Sequence, residues 1–470
     1  MMTIQELIKT SGTNFGTSGV RGLETLLTDE LCSAYTEAFL AIFENSAFKR
    51  VALGMDLRPS SPRIAAACVE AILKCGFEVD FCGKLPTPAL AFYAQEEKIP
   101  AIMVTGSHIP FDRNGIKFYR PDGEITKADE LAIINSKIAI SPINSTNSLP
   151  EINSNAIQNY VERYTHFFPK LTDLKLGLYE HSSVARDVFK EILEQLGATV
   201  VSLGRTDIFV PIDTEAVSPE DVERGLKWSK EHSFDAIIST DGDGDRPLIS
   251  DEKGVWLRGD IVGLLCADYL KISQLVVPVS CNTAIEKSEK FKTISRTKIG
   301  SPFVIEAMQA LKTENGAIAG FEANGGFLLQ SDIPNLKSLP TRDAVLPALA
   351  ILASAYNKKI PISQLLNELP KRFTASDRLQ NFPIEQSKNL IESLIQNPAL
   401  FNSLIPENHS EIVHQDTTDG LRLTLSNGEI VHLRPSGNAP ELRCYAEAET
   451  QIRASELVKT CLSAIQSNVI

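Results

Sequence analysis

The chain has 470 residues, 43% hydrophobic and 22% charged, a composition typical of a globular protein with room for three or four domains. Its 59 acidic and 46 basic residues give a net charge of −13, which disfavours nucleic acid and anionic membranes as partners. The eight cysteines show no Cys-x-x-Cys spacing, and the N-terminus lacks a signal-peptide pattern. We therefore expect a cytoplasmic protein with no disulfide framework, no structural zinc, no membrane anchor and no obligatory protein partner.

Short apolar runs alternate with helical stretches from Arg50 onward. The order along the chain is the run VALGM, a helical pattern over 64–74, the run FEVDF, a second helical stretch, and AIMVT ending at Thr105. This βαβαβ order is typical of a mainly parallel sheet. Similar cycles start near residues 174 and 261, and each cycle ends with a strand running into a polar loop that contains glycine. The pattern predicts three related α/β domains.

The character of the chain changes towards its C-terminal end. The polar stretch 141–150 resembles a linker, and a second break is expected near Pro370, after a long helical stretch that begins at Arg342. Beyond it, alternating strands joined at Asn427-Gly428 and a closing helix over 455–465 predict an α+β domain with an antiparallel sheet. The predicted domains cover residues 1–145, 146–255, 256–368 and 369–470.

Asp241, Asp243 and Asp245 alternate with glycine in the run DGDGDR, after the apolar, β-branched segment 234–240. That segment predicts a buried strand, so the carboxylates would lie at a strand's carboxyl end, where open α/β sheets bind ligands. Oxygen ligands without His or Cys favour Mg²⁺, Ca²⁺ or Mn²⁺ over zinc or copper. The alternatives are a solvated acidic turn and an EF-hand loop with Glu252 at its twelfth position, although its sixth position is not the required glycine.

Ser107 follows Gly106 just beyond a predicted strand end, in the run TGSHIPFDRNGIK. A sharp turn there can expose the hydroxyl, which could act as a nucleophile or carry a phosphoryl group. His108 and Lys117 in the same run could each move a proton or neutralise a phosphate. An ordinary Gly-Ser turn with a loop histidine is the alternative interpretation.

Three further runs carry polar groups suited to a sugar phosphate. FGTSGVRG could hold phosphate through Arg21, and the tight loop GFEANGG could bond sugar hydroxyls through Glu322 and Asn324. In RPSGNAPELR the phosphate-binding groups would come from Arg434, Ser436, Gly437 and Asn438. Each run alone is also compatible with an ordinary turn. No G-x-G-x-x-G or GxxxxGK[ST] run stands at a strand-to-helix junction, which disfavours a nucleotide site.

Together the five runs occur in the order seen in the α-D-phosphohexomutase superfamily, and the chain resembles the bacterial phosphomannomutase/phosphoglucomutase branch over nearly its whole length. The serine and metal runs are highly specific as a pair. The resemblance implies an α/β fold with three related mixed-sheet α/β domains plus a C-terminal α+β domain around a central cleft. Each domain would lend one loop: phosphoserine, metal, sugar recognition and phosphate binding.

The resemblance also implies a phosphoserine mechanism. Ser107 would carry a phosphoryl group and would complete the shell of one Mg²⁺ held by Asp241, Asp243 and Asp245. Transfer would yield a bisphosphorylated hexose, which also serves as activator and must reorient before it rephosphorylates the serine. The candidates for proton transfer are His108 and Lys117. The residues expected to steady the phosphoserine are Arg21 and Arg246.

The resemblance assigns the remaining candidates to the hexose phosphate substrate. Its ring hydroxyls would bind Glu322 and Asn324, and its phosphate would bind the loop that runs from Arg434 to Asn438. Asn324 stands where the family usually has serine, and Ser301 stands where two-substrate relatives often have His. We expect interconversion of mannose 6-phosphate and mannose 1-phosphate. The alternatives are phosphoglucomutase or phosphoglucosamine mutase activity, a metal-dependent sugar phosphatase, and a cation-binding scaffold.

Overall fold

The computed structural model describes residues 2–16, 19–44, 46–140, 148–405, 410–436 and 440–467. The chain folds into two compact units, and each is discontinuous in sequence. The first unit comprises Met1–Ile272 and Gly300–Gln364, and the second comprises Ser273–Ile299 and Leu365–Ile470. Most of the predicted linker 141–150 lies outside the described residues.

The N-terminal part of the first unit is built on a seven-stranded mixed sheet of order β1-β2-β6-β5-β3-β4, with β7 paired to β6. Strands β3, β4 and β5 are parallel, and β1, β2, β6 and β7 pair antiparallel. Its elements are α1 (Ile4–Thr10), β1 (Asn14–Gly16), β2 (Gly19–Leu23), α2 (Asp29–Ala41), β3 (Arg50–Met55), α3 (Ser61–Lys74), β4 (Glu78–Lys84), α4 (Thr87–Glu97), β5 (Ala101–Val104), β6 (Arg113–Arg120), β7 (Gly123–Glu124) and α5 (Lys127–Ile134).

Burial explains the composition of this sheet. All four residues of β5 are buried, as are all but the first of β3, because inner parallel strands are covered on both faces and therefore read as continuous apolar runs. The covering helices include α2, which Thr28 caps, and α3, which begins with proline in its first turn. The carboxyl end of β5 thereby delivers the chain directly to Ser107.

A four-stranded sheet of order β11-β10-β8-β9 follows in the first unit. Strands β8, β9 and β10 are parallel, whereas β11 returns antiparallel to β10. The run DGDGDR therefore connects β10 to β11 at the edge of the sheet. The elements are α6 (Asn155–Phe167), β8 (Lys175–Tyr179), α7 (Arg186–Gln195), β9 (Thr199–Leu203), α8 (Pro219–His232), β10 (Ala236–Thr240) and β11 (Pro247–Ile249).

The third α/β segment contributes an antiparallel trio, β14-β15-β16, to the first unit and a parallel pair, β12 and β13, to the second. A short 3-10 turn covers Thr313–Asn315. The elements are α9 (Gly259–Tyr269), β12 (Gln274–Pro278), α10 (Ala284–Lys287), β13 (Thr293–Thr297), α11 (Ser301–Gln309), β14 (Ile318–Phe321), β15 (Phe327–Leu329), β16 (Leu339–Asp343), α12 (Val345–Lys358) and α13 (Ile362–Asn367).

The C-terminal part of the second unit is a five-stranded antiparallel sheet of order β17-β21-β20-β19-β18. Asn282 ties the earlier segment of this unit to it, since its Nδ2 donates to the Arg372 carbonyl and to Thr374 Oγ1, each at 3.0 Å. A 3-10 turn covers Pro398–Leu400. The elements are β17 (Phe373–Gln380), α14 (Ile384–Gln396), α15 (Phe401–Leu404), β18 (Ile412–Asp416), β19 (Leu421–Leu425), β20 (Ile430–Pro435), β21 (Glu441–Ala448) and α16 (Gln451–Gln466).

The predicted fold class, three mixed-sheet α/β segments followed by an antiparallel α+β domain, is confirmed, as is the hairpin at Asn427-Gly428. One element was wrong: Arg342 does not begin a helix but lies in β16, and α12 begins at Val345. The run LPTRD contains proline and two charged residues, so neither period 2 nor period 3.6 marks it as a strand. The four domain boundaries stay a prediction. No helix in the described part of the chain is long and apolar enough to cross a membrane.

Candidate functional site

Ser107 lies in a turn just after β5, and it is fully buried. Its φ of +52° is left-handed, a backbone conformation that costs a non-glycine residue on the order of 1 kcal/mol. The side-chain Oγ donates a 2.8 Å hydrogen bond to Asp241 Oδ2, and the backbone N–H donates to Thr105 Oγ1 at 2.8 Å. The strained turn thus presents the serine hydroxyl directly to the loop 241–246 between β10 and β11, called the acidic loop below.

A buried arginine holds this turn in place. The Arg58 guanidinium lies 3.3 Å from Asp56 Oδ2, and its carbon Cζ sits 3.9 Å from the centre of the Phe209 ring. Its two terminal nitrogens donate at 2.6 to 2.9 Å to the main-chain carbonyls of Ser107, Ile109, Pro110 and Arg113. Because these bonds fix consecutive parts of one loop, they offset the strain at the serine.

Asp241, Asp243 and Asp245 converge in the loop between β10 and β11. All three are buried, and one oxygen from each lies within 4.8 Å of the others. The loop passes so close to the serine that a Cβ at Gly242 would lie only 2.7 Å from the Ser107 carbonyl oxygen. Strands rather than helices flank this loop, so the EF-hand interpretation is wrong.

In two of the three carboxylates, one oxygen accepts no hydrogen bond from the described residues. Asp243 Oδ2 accepts from Thr87 Oγ1 and Lys117 Nζ, both at 2.6 Å. Asp245 Oδ2 accepts from Lys117 Nζ at 2.9 Å and from Arg342 Nε at 3.1 Å. The other oxygen of each, Oδ1, is buried and accepts no hydrogen bond from the described residues, although Arg246 Nε lies 3.6 Å from Asp245 Oδ1. Buried carboxylate oxygens that accept no hydrogen bond are the atoms that a hard cation would bind, so these residues fit a Mg²⁺-type ion.

The charges in this cluster are partly balanced from within the fold. Burial raises the pKa of Asp241 well above its usual range, and the neighbouring Asp243 and Asp245 carboxylates raise it further. Burial also acts to raise the pKa values of Asp243 and Asp245. Lys117 nevertheless lowers the pKa of Asp243, and Arg342 lowers the pKa of Asp245. A bound divalent cation would favour the ionised form of all three.

Several arginines lie near His108, the residue that follows the serine. His108 Nδ1 lies 3.4 Å from Ser107 Oγ. Arg246, together with burial and Arg21, lowers the pKa of His108 to about 2. Burial and the neighbouring Arg246 and Arg342 likewise lower the pKa of Arg21 to about 10. Guanidinium groups that lie close enough together to lower the pKa of Arg21 are suited to binding phosphate.

Glu322 and Asn324 lie in the loop between β14 and β15, and each is 6% exposed. Asn324 Oδ1 accepts a 2.9 Å hydrogen bond from the Gly326 N–H of its own loop. Thr214 Oγ1 donates to the Asn324 carbonyl at 2.7 Å, and Arg342 Nη1 donates to Glu322 Oε2 at 3.3 Å. The first unit therefore brings both predicted sugar residues into a loop that is held by its neighbours.

Arg434 and Ser436 belong to the second unit. The Arg434 guanidinium lies 2.8 Å from Asp419 Oδ2, and the Ser436 N–H donates to the Glu441 carbonyl at 2.9 Å. The other two residues predicted for this loop, Gly437 and Asn438, lie outside the described residues.

Arg434 is one of three arginines that stand side by side on three adjacent strands. It pairs in register with Arg443 of β21, and Arg443 pairs in register with Arg378 of β17. Residues directly opposite in antiparallel strands share a face, and like charges there are destabilising. Glu441 lies 3.5 Å from Arg378 and 3.7 Å from Arg443. Such a row of arginines is a stable arrangement when an anion binds to it.

Comparisons with known proteins place the chain in a family. Models described as phosphoglucomutase/phosphomannomutase α/β/α domains I, II and III match residues 12–141, 158–254 and 258–373, and the model of the C-terminal domain matches 373–462. The phosphomannomutase of Salmonella muenchen is 51% identical over 99% of this chain and 98% of its own length. The chain belongs to the phosphoglucomutase/phosphomannomutase family. It is therefore an isomerase of the intramolecular phosphotransferase class.

Two further similarities support the assignment to the phosphoglucomutase/phosphomannomutase family. A phosphomannomutase of Sinorhizobium fredii is 42% identical over 98% of this chain and 100% of its own length. The crystal structure of a phosphoglucomutase/phosphomannomutase family protein from Burkholderia thailandensis superposes with a TM-score of 0.76, at 20% identity, over 99% of this chain and 98% of that one. At that identity the structural likeness supports the fold alone.

Four arginines of this family member were not predicted to be site residues: Arg58, Arg342, Arg378 and Arg443. Arg58 follows β3 and Arg342 lies in β16, far in sequence from the loops that they hold. Arg378 acquires its neighbours only when β17 pairs with β21. The sequence offers one weak signal, since a charged residue next to a buried strand needs a partner.

Proposed function

We propose that the chain is a phosphomannomutase, which interconverts mannose 6-phosphate and mannose 1-phosphate through a phosphorylated Ser107. The observation that carries the proposal is the hydrogen bond from Ser107 Oγ to Asp241, at the rim of a buried cluster of three carboxylates. A serine nucleophile needs a charge-balancing site beside it to accept a dianionic group, and this cluster with its cations supplies one.

The transfer steps conserve the phosphoryl group. The bond between phosphorus and Ser107 Oγ breaks, and a bond forms from phosphorus to the free hydroxyl of the sugar phosphate. The proton of that hydroxyl leaves to a base, and the released serine oxygen takes up a proton to become a hydroxyl again. His108, 3.4 Å from the serine oxygen, and Lys117 are the proposed proton carriers. The bisphosphorylated sugar then turns within the site, and its other phosphoryl group returns to Ser107. Arg21 and Arg246 steady the phosphoserine.

Asp241, Asp243 and Asp245, together with an oxygen on phosphorylated Ser107, would hold one Mg²⁺. When bound, that ion would supply electrostatic stabilisation of the transferring phosphoryl group. The proposal rests on the oxygen-only donor set and on the buried Oδ1 atoms of Asp243 and Asp245, which accept no hydrogen bond from the described residues.

Sugar recognition is assigned to Glu322 and Asn324, whose polar groups lie in a buried loop. Phosphate recognition is assigned to Arg434, Ser436, Gly437 and Asn438, and the row formed by Arg378, Arg443 and Arg434 supports it by concentrating positive charge on one face of the sheet. The substrate is thus a hexose phosphate, and a hexose bisphosphate is expected to activate the enzyme.

Mannose is favoured as the sugar because both relatives reported above, at 51% and 42% identity, are named phosphomannomutases. The deciding experiment compares kcat/KM on mannose, glucose and glucosamine 1-phosphates with a hexose bisphosphate present. We expect at least a tenfold preference for mannose, and a tenfold preference for either of the others would overturn the choice of sugar (a factor of ten is about 1.4 kcal/mol). Phosphate released as fast as substrate disappears would instead indicate a phosphatase.

A further inference from the structure

Arg342 connects the acidic loop to the loop between β14 and β15 that carries Glu322, called the sugar loop below. It is 2% exposed, in strand β16. Its Nε and Nη2 lie 3.1 and 3.0 Å from Asp245 Oδ2, and its Nη1 donates to Glu322 Oε2 at 3.3 Å. One planar guanidinium therefore spans a carboxylate that we assign to the metal and a carboxylate that we assign to the sugar.

The sugar loop leaves room for this side chain. A Cβ at Gly326 would lie 2.8 Å from both Cγ and Cδ of Arg342, closer than such atoms pack. The aliphatic stem of Arg342 therefore runs directly against the backbone of GFEANGG. Gly326, the last glycine of that run, is explained by this close approach rather than by a turn.

Strand β16 is fixed on both sides of Arg342. Thr341 Oγ1 donates to Glu124 Oε1 at 2.6 Å. Asp343 accepts from Tyr160 at 2.7 Å and also from Tyr164. Because all of these groups are buried, the guanidinium is held in one position before any ligand arrives.

We propose that Arg342 is a positioning residue that couples cation binding to sugar binding, an inference that rests on the function proposed above. Its bonds to Asp245 Oδ2 leave Oδ1 of that residue to face the cation. Its bond to Glu322 fixes the carboxylate that receives the sugar hydroxyls. Displacing either carboxylate moves the shared guanidinium, so each ligand is expected to bind more tightly when the other is present.

Two variants test the coupling by different routes. Arg342→Lys keeps the charge but replaces the planar fork by a single ammonium, which cannot bond both carboxylates in the same geometry. Gly326→Ala changes no charged group and pushes the Arg342 stem away. The matched control is Arg372→Lys, the same substitution at a buried arginine that pairs with a buried carboxylate, Glu447, in the second unit.

The measurement is calorimetric titration of Mg²⁺ with and without mannose 1-phosphate, alongside the melting temperature. In the wild type, the sugar phosphate should tighten Mg²⁺ binding, and Mg²⁺ should tighten sugar binding by the same factor. Both site variants should weaken Mg²⁺ binding roughly tenfold, the effect of losing a buried charge-assisted bond, and should bring the coupling factor close to one. The control should lower the melting temperature with both binding quantities unchanged.

The inference is overturned if both site variants melt earlier than the wild type but keep Mg²⁺ affinity and coupling within about twofold of it. That outcome would assign Arg342 a structural role only. A wild type that binds Mg²⁺ but turns over no hexose phosphate would instead contradict the proposed function, and the Mg²⁺ titrations without sugar would still test whether Arg342 orients Asp245.

Discussion

Arg58 and Ser107 are 49 residues apart in the sequence, yet Nη2 of the arginine donates a 2.9 Å hydrogen bond to the main-chain carbonyl of the serine. The same guanidinium reaches three more carbonyls of the loop. We therefore expect Arg58→Lys to lower kcat at least about tenfold, because an ammonium cannot hold several carbonyls in fork geometry.

The Arg58 prediction is checked by steady-state kinetics and by intact-mass measurement of serine phosphorylation after incubation with hexose bisphosphate. Arg224→Lys serves as control, since that side chain is 46% exposed and pairs with Asp221, away from the serine loop. An Arg58→Lys enzyme that is phosphorylated and turns over like the control would contradict the prediction.

Ser107→Ala should remove nearly all turnover while the fold persists, because the residue that accepts the phosphoryl group is gone. The loss of the left-handed serine hydroxyl should change the free energy of unfolding by no more than about 1–2 kcal/mol. Ser239→Ala provides the comparison, since Ser239 Oγ is also buried and donates to the Tyr179 carbonyl at 2.7 Å. Turnover in Ser107→Ala that matches Ser239→Ala would exclude the phosphoserine route.

Asp243→Asn should weaken Mg²⁺ binding by at least about tenfold, because it removes one negative charge and one unpaired buried oxygen. Calorimetry without substrate measures the effect independently of turnover. Asp122→Asn, whose side chain is 74% exposed, should bind Mg²⁺ like the wild type. Equal affinities in all three proteins would show that the ion does not bind at the acidic loop.

Arg378→Gln should raise KM for the hexose phosphate severalfold without lowering the melting temperature. The substitution removes one charge from the arginine row, and it also relieves repulsion from Arg443 on the adjacent strand. Lys388→Gln, on the exposed surface of α14, is the control for a simple loss of charge. A lower melting temperature with unchanged KM would mean that Arg378 serves the fold rather than the substrate.

His432 makes stability depend on pH. Burial, with help from Arg422 and Arg434, lowers its pKa from 6.5 to about 4, although Nε2 is bonded to the Asp419 carbonyl. Between these values the unfolded chain binds the proton and the folded chain does not. The stabilisation is therefore complete above about pH 6.5 and is lost on acidification towards pH 4, by about 3 kcal/mol at most.

Urea unfolding at about pH 7 and about pH 4.5 measures this loss. His432→Gln keeps a donor for the Asp419 carbonyl and cannot titrate, so its free energy of unfolding should fall less between the two pH values than that of the wild type. Parallel losses in both proteins would assign the acid sensitivity to other groups.

The loops could be predicted from sequence because each follows an apolar strand whose pattern is local. Ser107 follows β5, and Asp241 follows β10, as the runs AIMVT and FDAIIST indicate. Local pattern alone is therefore enough to predict where both loops begin. Lys117 was also predicted, but its position between two carboxylates depends on contacts across more than a hundred residues.

The supporting arginines could not be predicted in the same way. Arg342 bonds to Asp245 across 97 residues, and its strand carries no recognisable period. Arg378 lies in a strand whose cross-strand neighbours depend on its register with β21. A local sequence pattern does not determine that register. Groups that orient a site act through tertiary contacts, and the sequence records these only as isolated charges beside buried strands.

The second unit also constrains the order in which the chain can fold during synthesis. Residues 273–299 leave the ribosome before 300–364, which belong to the first unit, and well before β21. Asn282 and Thr283 find their partners Thr374 and Glu447 only after a further 92 and 164 residues have been made. A fragment that begins at residue 365 lacks that early segment, so the C-terminal sheet is expected to express poorly alone and to become protease-resistant only after β21 has been made.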